Sequence, residues 1–241
     1  SDLSSALPEQ VVHDVVVSAF GSAGQRCSAL RLLCLQEDIA DTVITMLKGA
    51  IEALNVDDPS YLSTDVGPVI DELAQNKLLK HAEVMQREAK LIAALPLSNA
   101  TQPGYFVAPQ AYELTDIDQL AEEFFGPILH VVRYRQPDLN KVLDAINNKG
   151  YGLTFGIQSR IDSSVNLIQS RINSGNIYVN RSMIGAVVGV QPFGGSGLSG
   201  TGPKAGGPHY LARLCTESTL TIDTTAAGGN ASLMAMEDEE D

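Results

Sequence analysis

Apolar residues recur along the chain with a spacing that switches between helical and strand periodicity. In the first predicted helix, Pro8 suits the first turn, and the apolar residues after it share one face: Val11, Val12, Val15, Val16 and Ala19. Further helices are predicted from Asp38, which can act as an N-cap, to Leu54, and over residues 71–90, 139–147 and 163–172. Short apolar runs predict strands over residues 29–35, 105–108, 128–134, 153–159 and 176–180. This alternation favours an α/β fold with a mostly parallel sheet covered by helices.

Charge and cysteine content narrow the class of protein. A formal net charge of −13 over 241 residues argues against a nucleic-acid partner, because phosphate binding needs a basic surface. No apolar run approaches the roughly 18 residues that span a bilayer, and no signal peptide opens the chain. Three cysteines without paired spacing predict neither a disulfide framework nor a metal site. Together these features predict a cytoplasmic protein without a structural metal.

Residues 182–208 are rich in glycine and proline and are predicted to form a long, ordered loop. Within this loop, Gly195, Gly197 and Gly200 satisfy the G-x-G-x-x-G pattern of dinucleotide-binding turns. That pattern binds pyrophosphate where a strand precedes it and a helix follows, whereas two prolines and three glycines follow here. We therefore expect these glycines to let the backbone pass close to another segment.

Cys27 is the residue with the strongest potential for chemistry. It lies on a loop hinged by Gly21 and Gly24, between a predicted helix and a predicted strand. A free cysteine most often fills space in a core, but a thiol between two rigid elements can reach a substrate and attack it. Cys34 and Cys215 are predicted to be structural, because Cys34 lies in an apolar strand where burial would raise the pKa of its thiol.

Three segments together resemble a known enzyme family. Residues 24–28, Gly-Gln-Arg-Cys-Ser, resemble the active-site loop of the aldehyde dehydrogenase family. Residues 122–127, Glu-Glu-Phe-Phe-Gly-Pro, resemble its Glu-x-Phe-Gly-Pro segment. Asn180 and residues 192–195 resemble the late loop that closes over the aldehyde in that family. The match covers nearly the whole chain in the expected order, so the chain is expected to have the fold of the catalytic domain of that family.

The resemblance implies a chemistry and a cofactor. Cys27 would add to an aldehyde as a thiolate, a hydride would pass to NAD, and water would hydrolyse the resulting thioester. Glu123 would bind the hydroxyls of the nicotinamide ribose and Phe125 would flank the cofactor. NADP is left open as an alternative.

Finer features resemble one branch of the family, the L-glutamate γ-semialdehyde (1-pyrroline-5-carboxylate) dehydrogenases of proline catabolism. Residues 185–193 and 202–210 carry this resemblance. In that branch, a hydroxyl beside the cysteine and backbone N–H groups of the late loop hold the substrate carboxylate, and short charge-assisted hydrogen bonds suit that task. The implied substrate-binding residues are Ser28, Gly185, Ala186 and Phe193. Several forms of the family have serine where Ala186 stands, so one hydroxyl donor is expected to be absent.

The resemblance also implies that the chain is the C-terminal part of a longer enzyme. The family's N-terminal Rossmann-like half, with its general-base glutamate and oxyanion-hole asparagine, is expected to be absent. The implied organisation is a catalytic domain over 1–213, an oligomerisation strand over 214–223 and a tail over 224–241, which resembles the terminus of the bifunctional bacterial enzymes of proline catabolism. The implied partners are a small aldehyde, further copies of the chain and an upstream proline dehydrogenase domain. Alone, the chain is expected to be inactive.

Three other interpretations remain open at this stage. The chain could act on another class of aldehyde. It could be a module that only oligomerises. It could also be a cysteine hydrolase, in which Cys27 is paired with one of four histidines: His13, His81, His130 and His209.

Overall fold

The computed structural model describes residues 6–101, 103–187 and 189–223. It divides into two compact units, Ser1–Gly207 and Pro208–Asp241. In the second unit, the described residues are exposed and form one short 3-10 helix, Ala212–Leu214, and no strand. The oligomerisation strand over 214–223 therefore stays a prediction about an assembly, and the tail over 224–241 lies outside the described residues.

The helices of the first unit confirm those that the apolar spacing predicts. They are α1 (Pro8–Phe20), α2 (Glu37–Glu52), α3 (Glu72–Glu88), α4 (Leu139–Asn148) and α5 (Asp162–Arg171). In α1, Val11, Val12, Val15 and Ala19 are buried, as expected for one apolar face. Among the described residues, no helix is long and apolar enough to cross a membrane.

The N-termini of α2 and α3 are fixed in different ways. Asp38 was expected to cap α2, but this helix begins at Glu37, so Asp38 lies inside the first turn. Its carboxylate accepts a hydrogen bond of 2.9 Å from the side chain of Gln36 instead of capping a backbone N–H. The helix dipole still favours the acidic residues there. In α3, Asp71 is a true N-cap and accepts a bond of 2.8 Å from the N–H of Ala74.

The strands of the main sheet are β1 (Leu32–Gln36), β2 (Lys90–Ala94), β3 (Gln110–Leu114) and β4 (Ile128–Tyr134). Their order across the sheet is β1-β4-β3-β2. β1, β4 and β3 are parallel, whereas β2 is antiparallel to β3. The sheet is thus mostly parallel, and residues of α1, α2 and α3 share its buried core.

The prediction of a strand over residues 105–108 was wrong. Phe106 and Val107 are buried, but the strand that pairs with β4 begins only at Gln110. Pro109 directly precedes it and has no N–H to donate to a ladder, so regular pairing starts after it. β2 was not predicted, because its lysine and alanines have little strand preference.

Two further sheets have two strands each. β6 (Thr154–Ile157) and β7 (Asn176–Val179) are parallel and are connected through α5, as in a βαβ unit. β5 (Tyr151–Gly152) and β8 (Ser196–Gly197) form a short antiparallel pair, of which β8 lies inside the glycine-rich region over residues 182–208.

Candidate active site

Cys27 is exposed and follows a loop with an unusual backbone. Three consecutive residues are left-handed, with φ of 57° at Ser22, 53° at Ala23 and 64° at Gly24. Glycine adopts this conformation freely, but Ser22 and Ala23 store strain in it. The hydroxyl of Ser22 accepts a hydrogen bond of 2.9 Å from Nε of Arg26, which closes the loop on itself. The loop therefore turns the chain sharply after α1 and leaves the thiol at the surface.

Gln25 fastens this loop to a second segment. Its amide nitrogen donates to the carbonyl of Pro68 at 3.2 Å, and its amide oxygen accepts from the N–H of Ile70 at 2.8 Å. Because both ends of the amide have partners, its orientation is fixed. The residue two positions before the thiol is thus held on both sides.

Gly24 brings the Cys27 loop into backbone contact with the segment over residues 122–127. A Cβ at Gly24 would overlap the carbonyl group of Gly126 and would also approach the carbonyl oxygen of Ala19. Any side chain at this position would push the two segments apart, in addition to the strain of its positive φ. Glycine at 24 is therefore a packing requirement between the two segments.

Arg31 joins the same two segments through its side chain. On the loop side, its guanidinium donates to the carbonyl of Gly24 at 2.5 Å and to that of Arg26 at 3.2 Å. On the other side, it donates to the carbonyl of Gly126 at 3.2 Å and to Glu123 at 3.4 Å. A planar fork with several donors can bind these four acceptors at once, which a lysine cannot do.

Glu123 and Phe125 both contact this guanidinium and keep part of their surface open to solvent. The Glu123 side chain is 36% exposed and ion-paired with Arg31, whose guanidinium carbon lies 4.8 Å from the centre of the Phe125 ring. Burial lowers the pKa of Arg31, while the charges of Glu123 and Cys27 act in the opposite direction. The structure thus gathers Cys27, Glu123 and Phe125 around one half-buried cation.

The cysteines differ in their surroundings. Cys27 and Cys215 are exposed. Burial raises the pKa of the Cys34 thiol on β1 to about 12, which confirms the expectation for that residue. Ser28, directly after Cys27, is buried, and its carbonyl accepts a hydrogen bond of 3.4 Å from the hydroxyl of Thr154. Cys27 is therefore the more accessible of the two thiols, and the raised pKa keeps Cys34 protonated at neutral pH.

Ser18, near the end of α1, connects the Cys27 loop with the late loop. Its carbonyl accepts a hydrogen bond of 2.9 Å from the N–H of Leu30, where the chain returns from the thiol. Its hydroxyl accepts one of 3.2 Å from the N–H of Met183, two residues before Gly185. Gly185 has a φ of 78° and open space around the position of a Cβ, and Ala186 follows it half-buried.

Phe193 is fixed by two sets of hydrogen bonds. Its backbone exchanges bonds of 3.0 and 2.9 Å with Ala205. The buried side chain of Asn176 donates to the carbonyl of Pro192 at 3.1 Å and accepts from the N–H of Gly194 at 3.2 Å. Phe193 is therefore held between these two neighbours in a half-buried position.

Asn180 has a backbone-binding role in this structure. Its side-chain oxygen accepts from the N–H of Ser159 at 2.9 Å, and its nitrogen donates to the carbonyl of the same residue at 2.8 Å. Asn180 itself has a positive φ of 53°, which asparagine tolerates better than most residues. This pair fixes the start of the late loop after β7.

The G-x-G-x-x-G pattern packs against the protein's own backbone. A Cβ at Gly195 would overlap Gly152, one at Gly197 would meet the carbonyl of Gly150, and one at Gly200 would overlap Gly195. The segment pairs with β5 as strand β8 and is not followed by a helix. This confirms that these glycines serve close backbone approach.

An apolar cavity of about 370 Å³ opens beside the thiol. Cys27 and Glu123 line it, together with residues of β1, β6 and α4. Within the described residues, β1 pairs only with β4 and β6 only with β7, so each presents one free edge.

The hydrolase interpretation finds no support in the histidines. His81 and His130 hydrogen bond to each other, and the second ring nitrogen of His130 lies 3.0 Å from the carbonyl oxygen of Arg31. His13 is exposed on α1, and His209 belongs to the second unit.

Arg31, Ser18 and Asn176 are the site-forming residues that sequence reasoning missed. Arg31 was visible as a cation four residues after the thiol, but its partners at 123 and 126 lie 92 and 95 positions away. Ser18 and Asn176 lie in apolar segments, and the sequence gives only a weak indication that their side chains bind backbone groups.

This geometry agrees with what comparisons of the chain with known proteins show. Residues 3–220 match the aldehyde dehydrogenase family. The chain therefore belongs to the aldehyde dehydrogenase family, which confirms the resemblance and the fold expected from it.

Within that family, its relatives include proteins named PutA and 1-pyrroline-5-carboxylate dehydrogenase. The bifunctional protein PutA of Escherichia coli (strain K12) is 51% identical over 227 residues, which are 91% of this chain and 17% of the relative. The 1-pyrroline-5-carboxylate dehydrogenase of Geobacillus kaustophilus (strain HTA426) is 38% identical over 84% of this chain and 39% of the relative. A crystal structure of proline utilization A from Bradyrhizobium japonicum has 63% identity and a TM-score of 0.86, covering 92% of this chain and 23% of that one. The chain thus spans less than half the length of these relatives.

Proposed function

We propose that the chain forms the thiol-bearing part of an enzyme that oxidises L-glutamate γ-semialdehyde, derived from 1-pyrroline-5-carboxylate, to L-glutamate. The observation that carries this proposal is the junction at Arg31, which joins the exposed Cys27 loop to Glu123 and Phe125. The names of the relatives, PutA and 1-pyrroline-5-carboxylate dehydrogenase, supply the substrate.

Cys27 is the proposed nucleophile. Its thiolate forms a carbon–sulfur bond with the aldehyde carbon, and its backbone N–H can stabilise the negative charge that develops on the aldehyde oxygen. Loss of a hydride from that carbon leaves a thioester on Cys27. Water then adds to the thioester carbon, the carbon–sulfur bond breaks, and the carboxylate product and the free thiol result.

NAD is the proposed hydride acceptor, and the residues present fit one end of it. Glu123 offers a half-buried carboxylate whose position Arg31 fixes, and Phe125 offers a 43% exposed ring. These two residues would hold the nicotinamide ribose and flank the ring. The glycine pattern over 195–200 is filled by its own backbone, so we assign no pyrophosphate site to it.

Ser28, Gly185, Ala186 and Phe193 are the proposed substrate-binding residues. The support for them is that Ser18 anchors both the chain after Cys27 and the start of the 183–187 turn. A turn with positive φ at Gly185 can present successive N–H groups to a carboxylate. Phe193, held by Ala205 and Asn176, would pack on the aliphatic part of the substrate.

The partners that we propose follow from the length of the relatives. The chain would act with a preceding cofactor-binding half and, in a bifunctional enzyme, with a proline dehydrogenase domain. Residues 214–223 would add to the sheet of a second copy. Three free thiols suit the reducing cytoplasm, which is the compartment that we propose.

A complementation experiment tests this function. The chain would be joined to the preceding half of the dehydrogenase domain of a PutA relative, and NADH formation would be followed with glutamate semialdehyde. We expect NADH with the joined protein and none with its Cys27→Ala variant. Equal NADH formation by both proteins would contradict the proposed nucleophile.

A further inference from the structure

Two buried histidines lie behind the candidate site and take no part in the proposed chemistry. His81 is on α3 and is 5% exposed, and His130 is on β4 and is 1% exposed. Their Nε2 atoms are 2.8 Å apart, so one of them donates a hydrogen bond to the other. Nδ1 of His130 lies 3.0 Å from the carbonyl oxygen of Arg31, which also accepts from the backbone N–H of His130 at 3.0 Å.

The partners fix where the protons of the pair lie. A carbonyl oxygen only accepts, so Nδ1 of His130 must carry a proton. In a neutral ring its Nε2 is then the acceptor, and the proton between the two rings belongs to Nε2 of His81. The pair therefore runs in one direction, from His81 through His130 to the carbonyl of Arg31.

Each histidine of this pair contacts one of the two segments that form the candidate site. The His81 ring stacks on Phe124, with centroids 3.4 Å apart and planes 9° from parallel, and Phe124 stands between Glu123 and Phe125. At the other end, Arg31 receives the hydrogen bonds of His130, and its side chain binds the carbonyls of the Cys27 loop.

We propose that His81 and His130 are positioning residues. Their hydrogen-bonded pair fixes the position of the Phe124 segment relative to Arg31, which anchors the Cys27 loop. His81 acts on the segment through the ring stack, and His130 acts on the loop through the carbonyl of Arg31. The importance of this relative position for turnover rests on the proposed function, but the position itself can be probed without turnover.

Substitutions can separate the two contacts of His81. His81→Gln keeps a donor near the position of Nε2 but removes the ring from Phe124. His81→Phe keeps a ring on Phe124 but leaves Nε2 of His130 without a donor. The matched control is His13→Asn, since His13 is an exposed histidine on α1.

The test uses two readouts on the full chain. Hydrogen exchange reports on residues 122–126, and iodoacetamide labelling, resolved by peptide mass spectrometry, reports on Cys27 separately from Cys215. We expect His81→Gln to speed exchange over 122–126, and His81→Phe to change the Cys27 labelling rate, each by about threefold or more. Each variant should leave the other readout near wild type, and His13→Asn should change neither.

A merely structural role gives a different result. If the pair only fills the core, both variants loosen the whole chain and change both readouts together, which would overturn the proposal. Unchanged readouts in both variants would overturn it as well. Imidazole nitrogen shifts at neutral pH give an independent check: a proton on Nε2 of His130, or a charged ring, contradicts the proton order. None of these measurements needs aldehyde or NAD, so their outcome is separate from that of the complementation experiment.

Discussion

The side chains of Arg31 and Glu123 form an ion pair of 3.4 Å across 92 positions of sequence. The same guanidinium lies under the ring of Phe125 and binds carbonyl oxygens of Gly24 and Gly126. One half-buried cation thus sets the distance between the thiol loop and the segment proposed to hold the cofactor.

This arrangement predicts that Arg31→Lys is not a conservative change. A lysine keeps the charge but loses the planar fork, so at least one buried carbonyl is left without a donor. We expect a loss of about 1–3 kcal/mol in the free energy of unfolding, measured with urea. Arg87→Lys, at an exposed position in the last turn of α3, is the matched control and should change little. Equal effects of the two substitutions would mean that the four contacts of Arg31 contribute nothing specific.

Substitution of Cys27 should abolish activity, whereas substitution of Cys34 should leave most of it. In the joined protein described above, Cys27→Ala should abolish NADH formation, because no thioester can form. Cys34→Ala removes a thiol whose high pKa keeps it protonated, so most of the activity should remain. The measurement is the steady-state rate of NADH formation by each variant with glutamate semialdehyde. Retained turnover in Cys27→Ala would rule out the covalent route.

The proposed role of Gly185 in substrate binding can be tested through substrate specificity, with Gly189 as the control position. Gly185→Leu should weaken the use of glutamate semialdehyde far more than that of an uncharged aldehyde of similar length, because donors built for a carboxylate would be blocked. Gly189 has a similar φ of 80° and equally open surroundings, so Gly189→Leu carries the same backbone strain in the same loop. The comparison is of kcat/KM for the two aldehydes. The same selectivity in both variants would show that strain alone is responsible.

The buried histidine pair predicts that stability falls in acid. Burial is the main cause that lowers the pKa of both His81 and His130 to about 4 from the ordinary 6.5. The charges of Lys77 and Arg31 act in the same direction on their respective neighbours, and that of Glu122 opposes the shift at His81. Between pH 6.5 and 4 the unfolded chain therefore binds protons that the folded chain does not.

The sign of this effect follows from linkage. The stabilisation is complete above pH 6.5 and is lost as the pH falls from 6.5 towards 4. Urea unfolding across this range should show the slope. A variant with both His81→Phe and His130→Leu should have a flatter profile, while His13→Asn should keep the slope of the wild type. An equally steep profile in the double variant would assign the acid sensitivity to other groups.

Alone, the chain should not act as a dehydrogenase. Its glycine pattern is closed against Gly150 and Gly152, and one carboxylate at Glu123 contributes too little to immobilise a whole cofactor. The free edges of β1 and β6 and the apolar cavity that they line should also promote self-association. Calorimetric titration with NAD should show no binding in the micromolar range, and light scattering should show particles larger than one chain. Formation of NADH by the isolated chain would contradict this expectation.

Local patterns predicted the helices and most strands because each depends on neighbours in sequence. The single apolar face of α1 and the run of β4 are such cases. The apolar run over 105–108 misled the prediction, since Phe106 and Val107 are buried without strand pairing. The motif around Cys27 was visible, but its anchors were not. The hydrogen bonds from Arg31 to Glu123 and from the N–H of Met183 to Ser18 exist only once distant segments have come together.

The contact between Gly24 and Gly126 has a consequence for anyone who wishes to redesign this enzyme. Two main chains that touch without a side chain between them leave no room for fine adjustment, because even a methyl group at Gly24 would overlap the carbonyl of Gly126. A longer or bulkier aldehyde would therefore have to be accommodated on the proposed substrate side of the thiol, where Gly185 has nothing within 4 Å of a Cβ. Because the φ of Gly185 is positive, the glycine itself keeps that space open.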